Sequence, residues 1–313
     1  MRRLEFLRAS LAPNTLRTYG AGLRQYLNFC SVIQVTPFPL AAPTLELFVT
    51  SLARRVAYKS IRVYLSGLQY FSTIRGWPHH VSSMATLHYI LRGIRRVQGP
   101  SFTRPVRAPF LVSHLLSVFR RGPALFSPRD VSMIRAAFAL AFYGLLRVSE
   151  FTSPHVASWD PEIHLSRADV VILPPFTSLS LRIKASKTDP FREGHTLRLV
   201  SLPHLTCPVA ALRSYLRLPH PPSGPLFTLA DGRFLTRAHV ARFLLVCFRV
   251  PLLSTHSFRI GGASALANAG VPLHVVQQLG RWRSDAFLRY LRVSSSEIDG
   301  AFRALFRAEV EER

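Results

Sequence analysis

The sequence predicts a mainly α-helical chain with a small antiparallel β-sheet, divided into a helical N-terminal domain and an α+β C-terminal domain. Three observations lead there. Apolar residues recur at helical spacing through most of the chain. Alternating apolar and polar positions are confined to three short runs between residues 170 and 202. A stretch rich in Pro and Gly, GPSFTRPVRAP at 99–109, separates two parts that are each long enough to bury a core. The domains are therefore placed at 1–98 and 110–313, with 99–109 as the linker.

In the first domain, Asn14 to Cys30 sets Leu16, Tyr19, Leu23, Tyr26 and Leu27 on one helix face. Thr44 to Arg54 follows as a second helix. Ser60 to Ile74 carries Ile61, Tyr64, Leu65, Leu68 and Phe71, and Ser83 to Val97 carries Met84, Leu87, Leu91 and Ile94. Arg17, Arg24, Arg62, Arg92 and Arg95 fall off these apolar stripes. A solvated face would explain them, but the scarcity of acids among them favours a surface that meets phosphates.

The second domain opens with a helix near 111–120 and continues with a long one over 128–151, in which Arg147 and Glu150 stand three apart near the end. Its apolar run, Ala136 to Leu146, is too short to span a bilayer, so no membrane partner is expected. The opening residues do not read as a secretory signal. Val170 to Leu173, Leu179 to Ile183 and Thr196 to Leu202 are the three strands, and KASKTDPFREG joins the last two. Helices follow at 208–218 and 236–249. Three helical blocks come next: one holding His256 and Arg259, Leu273 to Leu279 stopped by Gly280, and Ser284 to Val293 holding Tyr290. Ile298, Phe302, Leu305 and Phe306 then form an apolar stripe, with Ser295 or Ser296 as cap, so a tail helix is expected over 294–313.

Lys and Arg number 40 against 16 acids, a formal net charge of +24. Such an excess repels itself unless a polyanion neutralises it, and nucleic acid is the leading candidate. Only Lys59, Lys184 and Lys187 are lysines, so the other 37 basic residues are Arg, whose fork fits phosphate oxygens. Residues 1–129 hold 18 of the 40 and only two acids, Glu5 and Glu46. The first domain is thus the more basic. Cys30, Cys207 and Cys247 are odd in number and far apart, which fits neither a disulfide framework nor a zinc site and suits a reducing compartment.

Chemistry-bearing residues concentrate between His256 and Tyr290: an imidazole, a guanidinium, the Arg281–Trp282 pair after a helix end, and a phenol in an apolar setting. Singly, each is more often structural than catalytic. Arg147 emerges from an apolar stretch and needs either a partner, which Glu150 supplies, or a bound anion. Two of the three lysines lie in one connection, and in a chain that otherwise uses Arg, a retained Lys points to proton donation, which guanidinium cannot perform.

In chain order, Arg147, Lys187, His256, Arg259, Trp282 and Tyr290 resemble the active site of the tyrosine recombinases, the phage-integrase family. The wording SKTDP, HSFRIGGAS and GRWRSDAFLRY is most similar to the recombinases of eukaryotic mobile elements of the DIRS, Ngaro and Crypton kinds. The resemblance implies a SAM-like helical core-binding domain in front of an α+β catalytic domain. It also implies that Tyr290 is the nucleophile, that Arg147 and Arg259 clamp the phosphate, and that Lys187 is the general acid on a β-hairpin. His256 takes the first site of the HxxR pair, Trp282 the later site that is His or Trp, and Glu150 supports Arg147.

Two departures leave alternatives open. Trp282 to Tyr290 is eight residues where many family members have nine, so either Arg281 or Trp282 faces the phosphate. Lys184 also competes with Lys187.

The chemistry expected is cleavage and rejoining of double-stranded DNA through a 3′-phosphotyrosyl intermediate, with no metal, ATP or other cofactor. The family further implies a homotetramer on paired sites, integration or excision of an element, and residence in the nucleus. Two other readings share these residues. One is a topoisomerase of type IB, acting alone on one strand, and the other is a domesticated, inactive DNA-binding protein.

Overall fold

In a computed structural model of the chain, residues 2–77, 80–102, 105–187, 189–291 and 299–300 are described. The tail helix expected over 294–313 lies outside them, apart from two helical residues at 299 and 300. The architecture is mainly helical with one small antiparallel sheet, as the sequence predicts. It divides into two compact units, Met1–Pro105 and Val106–Arg313.

The first unit contains α1 (Arg2–Ala9), α2 (Pro13–Val32), α3 (Ala42–Leu52), α4 (Tyr58–Ile74) and α5 (Ala85–Gln98). Helix α1 is not foreseen by periodicity; it is tied by the Tyr70 hydroxyl, which donates to the Leu7 carbonyl at 2.7 Å. Helices α2 and α4 cross at reciprocal glycines: a Cβ on Gly22 would meet Tyr64 Cα at 2.8 Å, and one on Gly67 would meet Tyr19 Cα at 3.0 Å. The apolar stripes of α2 to α5 meet in one core around Tyr26, Phe48, Ile61 and Leu87. Buried Gln98 fastens the end of α5 by accepting from Tyr58 N and donating to the carbonyls of Ala53 and Val56.

In the second unit, α6 (Val112–Arg121) precedes α7 (Pro128–Tyr143), whose residues Ala136 to Phe142 are all buried. No helix among the described residues is long and apolar enough to cross a membrane. The single long helix expected over 128–151 is broken. Leu145 adopts a left-handed φ of 49°, Leu145 N donates to Phe142 O, and Leu146 N donates to Ala141 O, which closes α7 in the Schellman pattern. Arg147 is then extended, with ψ of 146°, and a new short helix, α8 (Val148–Phe151), starts after it. Strands β1 (Val170–Leu173), β2 (Ser178–Ile183) and β3 (His195–Val200) pair antiparallel in the order β1-β2-β3.

Helices α9 (Pro208–Leu216), α10 (Arg237–Phe248), α11 (Ser257–Asn268) and α12 (Leu273–Leu279) complete the unit. The Tyr290 block is a 3₁₀ helix, Asp285–Tyr290, rather than the α-helix expected over 284–293. Adjacent glycines seat α11. A Cβ on Gly261 would lie 1.7 Å from Phe110 O, and one on Gly262 would lie 2.5 Å from Phe142 O. Only this close approach lets α11 lie against the end of α7.

Candidate active site

The site is built where two helix ends meet. Helix α12 closes as α7 does: Arg281 takes a left-handed φ of 56°, Arg281 N donates to Gln278 O, and Trp282 N donates to Gln277 O. Carbonyls at a helix C-terminus carry partial negative charge and attract cations. Arg259, on α11 and 1% exposed, spans the two ends, donating from Nη1 to Leu145 O and from Nη2 to Gly280 O. Arg281 donates to Gly144 O, Leu145 O and Leu279 O.

One carboxylate serves this cluster. Glu150, its side chain fully buried, pairs through Oε1 with Arg147 Nη1 at 2.9 Å and through Oε2 with Arg281 Nη2 at 2.7 Å. Its Oε2 also accepts from Arg147 N, at 2.9 Å, so the acid positions the backbone that presents Arg147. Three guanidiniums against one carboxylate leave a net charge of +2 in a largely desolvated place. Burial, then the charges of Arg147 and Arg281, push the Arg259 guanidinium down to about 9. Burial likewise lowers Arg281. A cluster with this excess is stabilised by a bound dianion or monoanion, and forked donors suit a phosphate.

At its edge stand the phenol and the imidazole. His256 is the residue that precedes α11, and its Nε2 lies 3.0 Å from the Tyr290 hydroxyl. Burial, followed by the charges of Arg107, Arg259, Arg147 and Arg237, pushes the His256 pKa down to about 4. The imidazole is therefore neutral at pH 7 and able to accept the phenol's proton. Trp282 fills the space between: its ring lies 4.0 Å under the Arg259 guanidinium and 5.4 Å from the Tyr290 ring. Gly280 allows this fold-back, because a Cβ there would sit 1.6 Å from the indole.

Solved structures give the arrangement its context. A λ integrase dimer bound to a COC′ core site is similar to this chain with a TM-score of 0.62 at 14% identity, over 93% of each chain. XerH site-specific recombinase bound to palindromic difH, a post-cleavage complex, gives 0.64 at 15% identity, over 91% of this chain and 78% of that one. The Tn1549 transposon integrase in complex with transposon right end DNA gives 0.58 at 11% identity, over 93% and 99%. The fold is that of the tyrosine recombinases. No family model and no curated protein matches the sequence.

Within this recombinase fold, Arg147, Glu150, His256, Arg259, Trp282 and Tyr290 come together, whereas Lys187 stands apart. It is exposed, in the turn between β2 and β3, and no hydrogen bond or ion pair among the described residues joins it to those six. Its rival is occupied: Lys184 Nζ lies 2.7 Å from Asp169 Oδ2. The hairpin nevertheless borders the site. A cavity of about 330 Å³ is lined on one side by Ser186, Asp189 and His195 and on the other by Gln278, Arg281 and Trp282.

His195 is a neighbour that no sequence motif marks; burial first, then the charge of Arg281, lowers its pKa. Arg17, Arg24, Arg62, Arg92 and Arg95 are all exposed in the first unit. Among the described residues no group of three or more His, Cys, Asp or Glu is placed to hold a metal ion.

Proposed function

We propose that the protein is a site-specific DNA recombinase that cuts and rejoins strands through a 3′-phosphotyrosyl intermediate. The observation that carries this reading is the Tyr290 hydroxyl, 3.0 Å from a neutral imidazole at the edge of a cluster of three guanidiniums and one carboxylate. The phenol oxygen attacks phosphorus, its proton passes to His256 Nε2, and the bond from phosphorus to the 5′ oxygen breaks. Negative charge that builds on the phosphoryl oxygens is met by Arg147, whose side chain keeps an exposed edge, and by the positive charge of buried Arg259, whose Nη atoms are held by carbonyls. Lys187, from the hairpin, gives the departing 5′ oxygen its proton. Attack by a 5′ hydroxyl on the phosphotyrosine reverses these steps, so the energy of the linkage is kept and no ATP is consumed.

The same reading covers the partners. Double-stranded DNA is the substrate, gripped by the exposed arginines of the first unit. Four protomers assemble on paired sites. The wording of the motifs, close to that of DIRS, Ngaro and Crypton recombinases, supports a role in moving a genetic element within a nucleus.

The test is a nicked suicide substrate built from the ends of that element. Wild-type protein should become covalently attached in the presence of EDTA, while Tyr290→Phe binds the DNA and forms no adduct. Retained binding with no adduct from the wild type would identify a DNA-binding protein without the reaction. Adduct without any two-site complex would point to a topoisomerase.

A further inference from the structure

Arg281 occupies a position that its own backbone disfavours. The left-handed residue after a helix C-cap is usually Gly or Asn, since a Cβ there crowds the following carbonyl at a cost of roughly 1–2 kcal/mol. An Arg with φ of 56° at that point must be held by its side chain. The hydrogen bonds account for it: Nη1 donates to Gly144 O and Leu279 O, and Nη2 donates to Leu145 O and to Glu150 Oε2. Both terminal nitrogens are thus spent on the protein. The side chain is only 8% exposed, against 15% for Arg147. Its Nε, the remaining donor, is buried without a partner among the described residues.

Taking the recombinase reading as given, we infer that Arg281 is a positioning residue that uses Glu150 as a shared anion to lock the end of α12 onto the end of α7, and that it does not contact the scissile phosphate. The lock acts at both ends of the site. Through Glu150 it fixes the extended residue that presents Arg147. Through the left-handed turn it fixes Trp282 against Arg259 and Tyr290. Glu150 is therefore a strut with two arms, and Arg147 and Arg281 are its two loads.

Arg281→Gly is the informative variant, because it relieves the strained φ while deleting the guanidinium. Cleavage is measured on a phosphodiester and on a methylphosphonate, which lacks one charged oxygen and so lessens the need for any guanidinium that touches the phosphate. Arg147→Ala should lose about 100-fold or more on the phosphodiester and recover much of it on the methylphosphonate. Arg281→Gly should lose cleavage by the same factor on both substrates. Selective rescue of Arg281→Gly by the methylphosphonate would place its guanidinium on the phosphate and overturn the inference.

A second measurement needs no DNA and stands even if no adduct forms. Glu150→Gln and Arg281→Met should each lower the melting temperature, and the double variant should melt no lower than the worse single one. Additive losses would show that the two side chains are not coupled. Absence of adduct from the wild type would instead count against the recombinase reading alone.

Discussion

Of the three guanidiniums, Arg147 is the one with a surface left for a ligand, its side chain 15% exposed while Glu150 holds it from behind. Arg147→Ala should therefore cost about 3 kcal/mol of transition-state stabilisation, by analogy with loss of an oxyanion donor, and change half-site affinity much less. Single-turnover adduct formation beside a gel shift would separate the two. Lys187→Ala should be rescued by a substrate whose 5′ leaving oxygen is replaced by sulfur, since a thiolate leaves without an acid. Rescue of Lys184→Ala instead would assign the proton to the lysine that is paired with Asp169.

His256 makes a pH prediction. Its folded pKa, about 4, lies below the ordinary histidine value of about 6.5, so the unfolded chain binds more protons between those limits. The stability that neutral His256 contributes is complete above pH 6.5 or so and is lost as pH falls toward 4. Half-buried His114, His164 and His220 share this trend, so the comparison is between wild type and His256→Asn: urea midpoints at pH 7.5 and pH 5 should differ less in the variant. His256, Arg259 and Tyr290 were legible in the sequence because residue types of distinct chemistry crowd into one short stretch. Arg281 stands in the same stretch as a candidate phosphate contact, but its anchoring role was not legible, since it depends on a left-handed turn and on carbonyls contributed by a helix far back in the chain.

At the scale of elements, the site depends on how closely α11 approaches the end of α7 and the Phe110 backbone, where Gly262 and Gly261 respectively leave the room. A methyl on Gly261 would overlap the Phe110 carbonyl, and overpacking of this kind typically costs about 1–3 kcal/mol or more. Gly261→Ala should lower the melting temperature and abolish adduct formation together, because a displaced α11 takes Arg259 off the two helix ends. A variant that melts lower but keeps full activity would separate helix seating from the site. The strands and most helices followed from periodicity, with boundaries displaced by a few residues. The break in the helix expected over 128–151 did not, because Leu145 and Leu146 continue the apolar run while the backbone turns left-handed at Leu145. Hydrophobic pattern reports burial, and Leu145 and Leu146 are buried in a turn as fully as they would be in a helix.

For the whole molecule, charge is the decisive quantity. On the recombinase reading, a chain carrying +24 with its first 129 residues nearly free of acids should gain most of its DNA affinity by displacing counterions from phosphates. Each phosphate neutralised adds about −0.9 to the slope of log K against log salt. Arg17, Arg24, Arg62, Arg92 and Arg95 are exposed on a unit with its own core, so replacing them should leave that core intact. If all five meet phosphates, changing them to Ala should make the salt slope of half-site binding shallower by about 4 to 5. An unchanged slope would show that these arginines are an ordinary solvated face. Since the five lie outside the candidate active site, adduct formed at low salt and saturating protein should stay near the wild-type level, which separates grip on the duplex from the chemistry of cutting it.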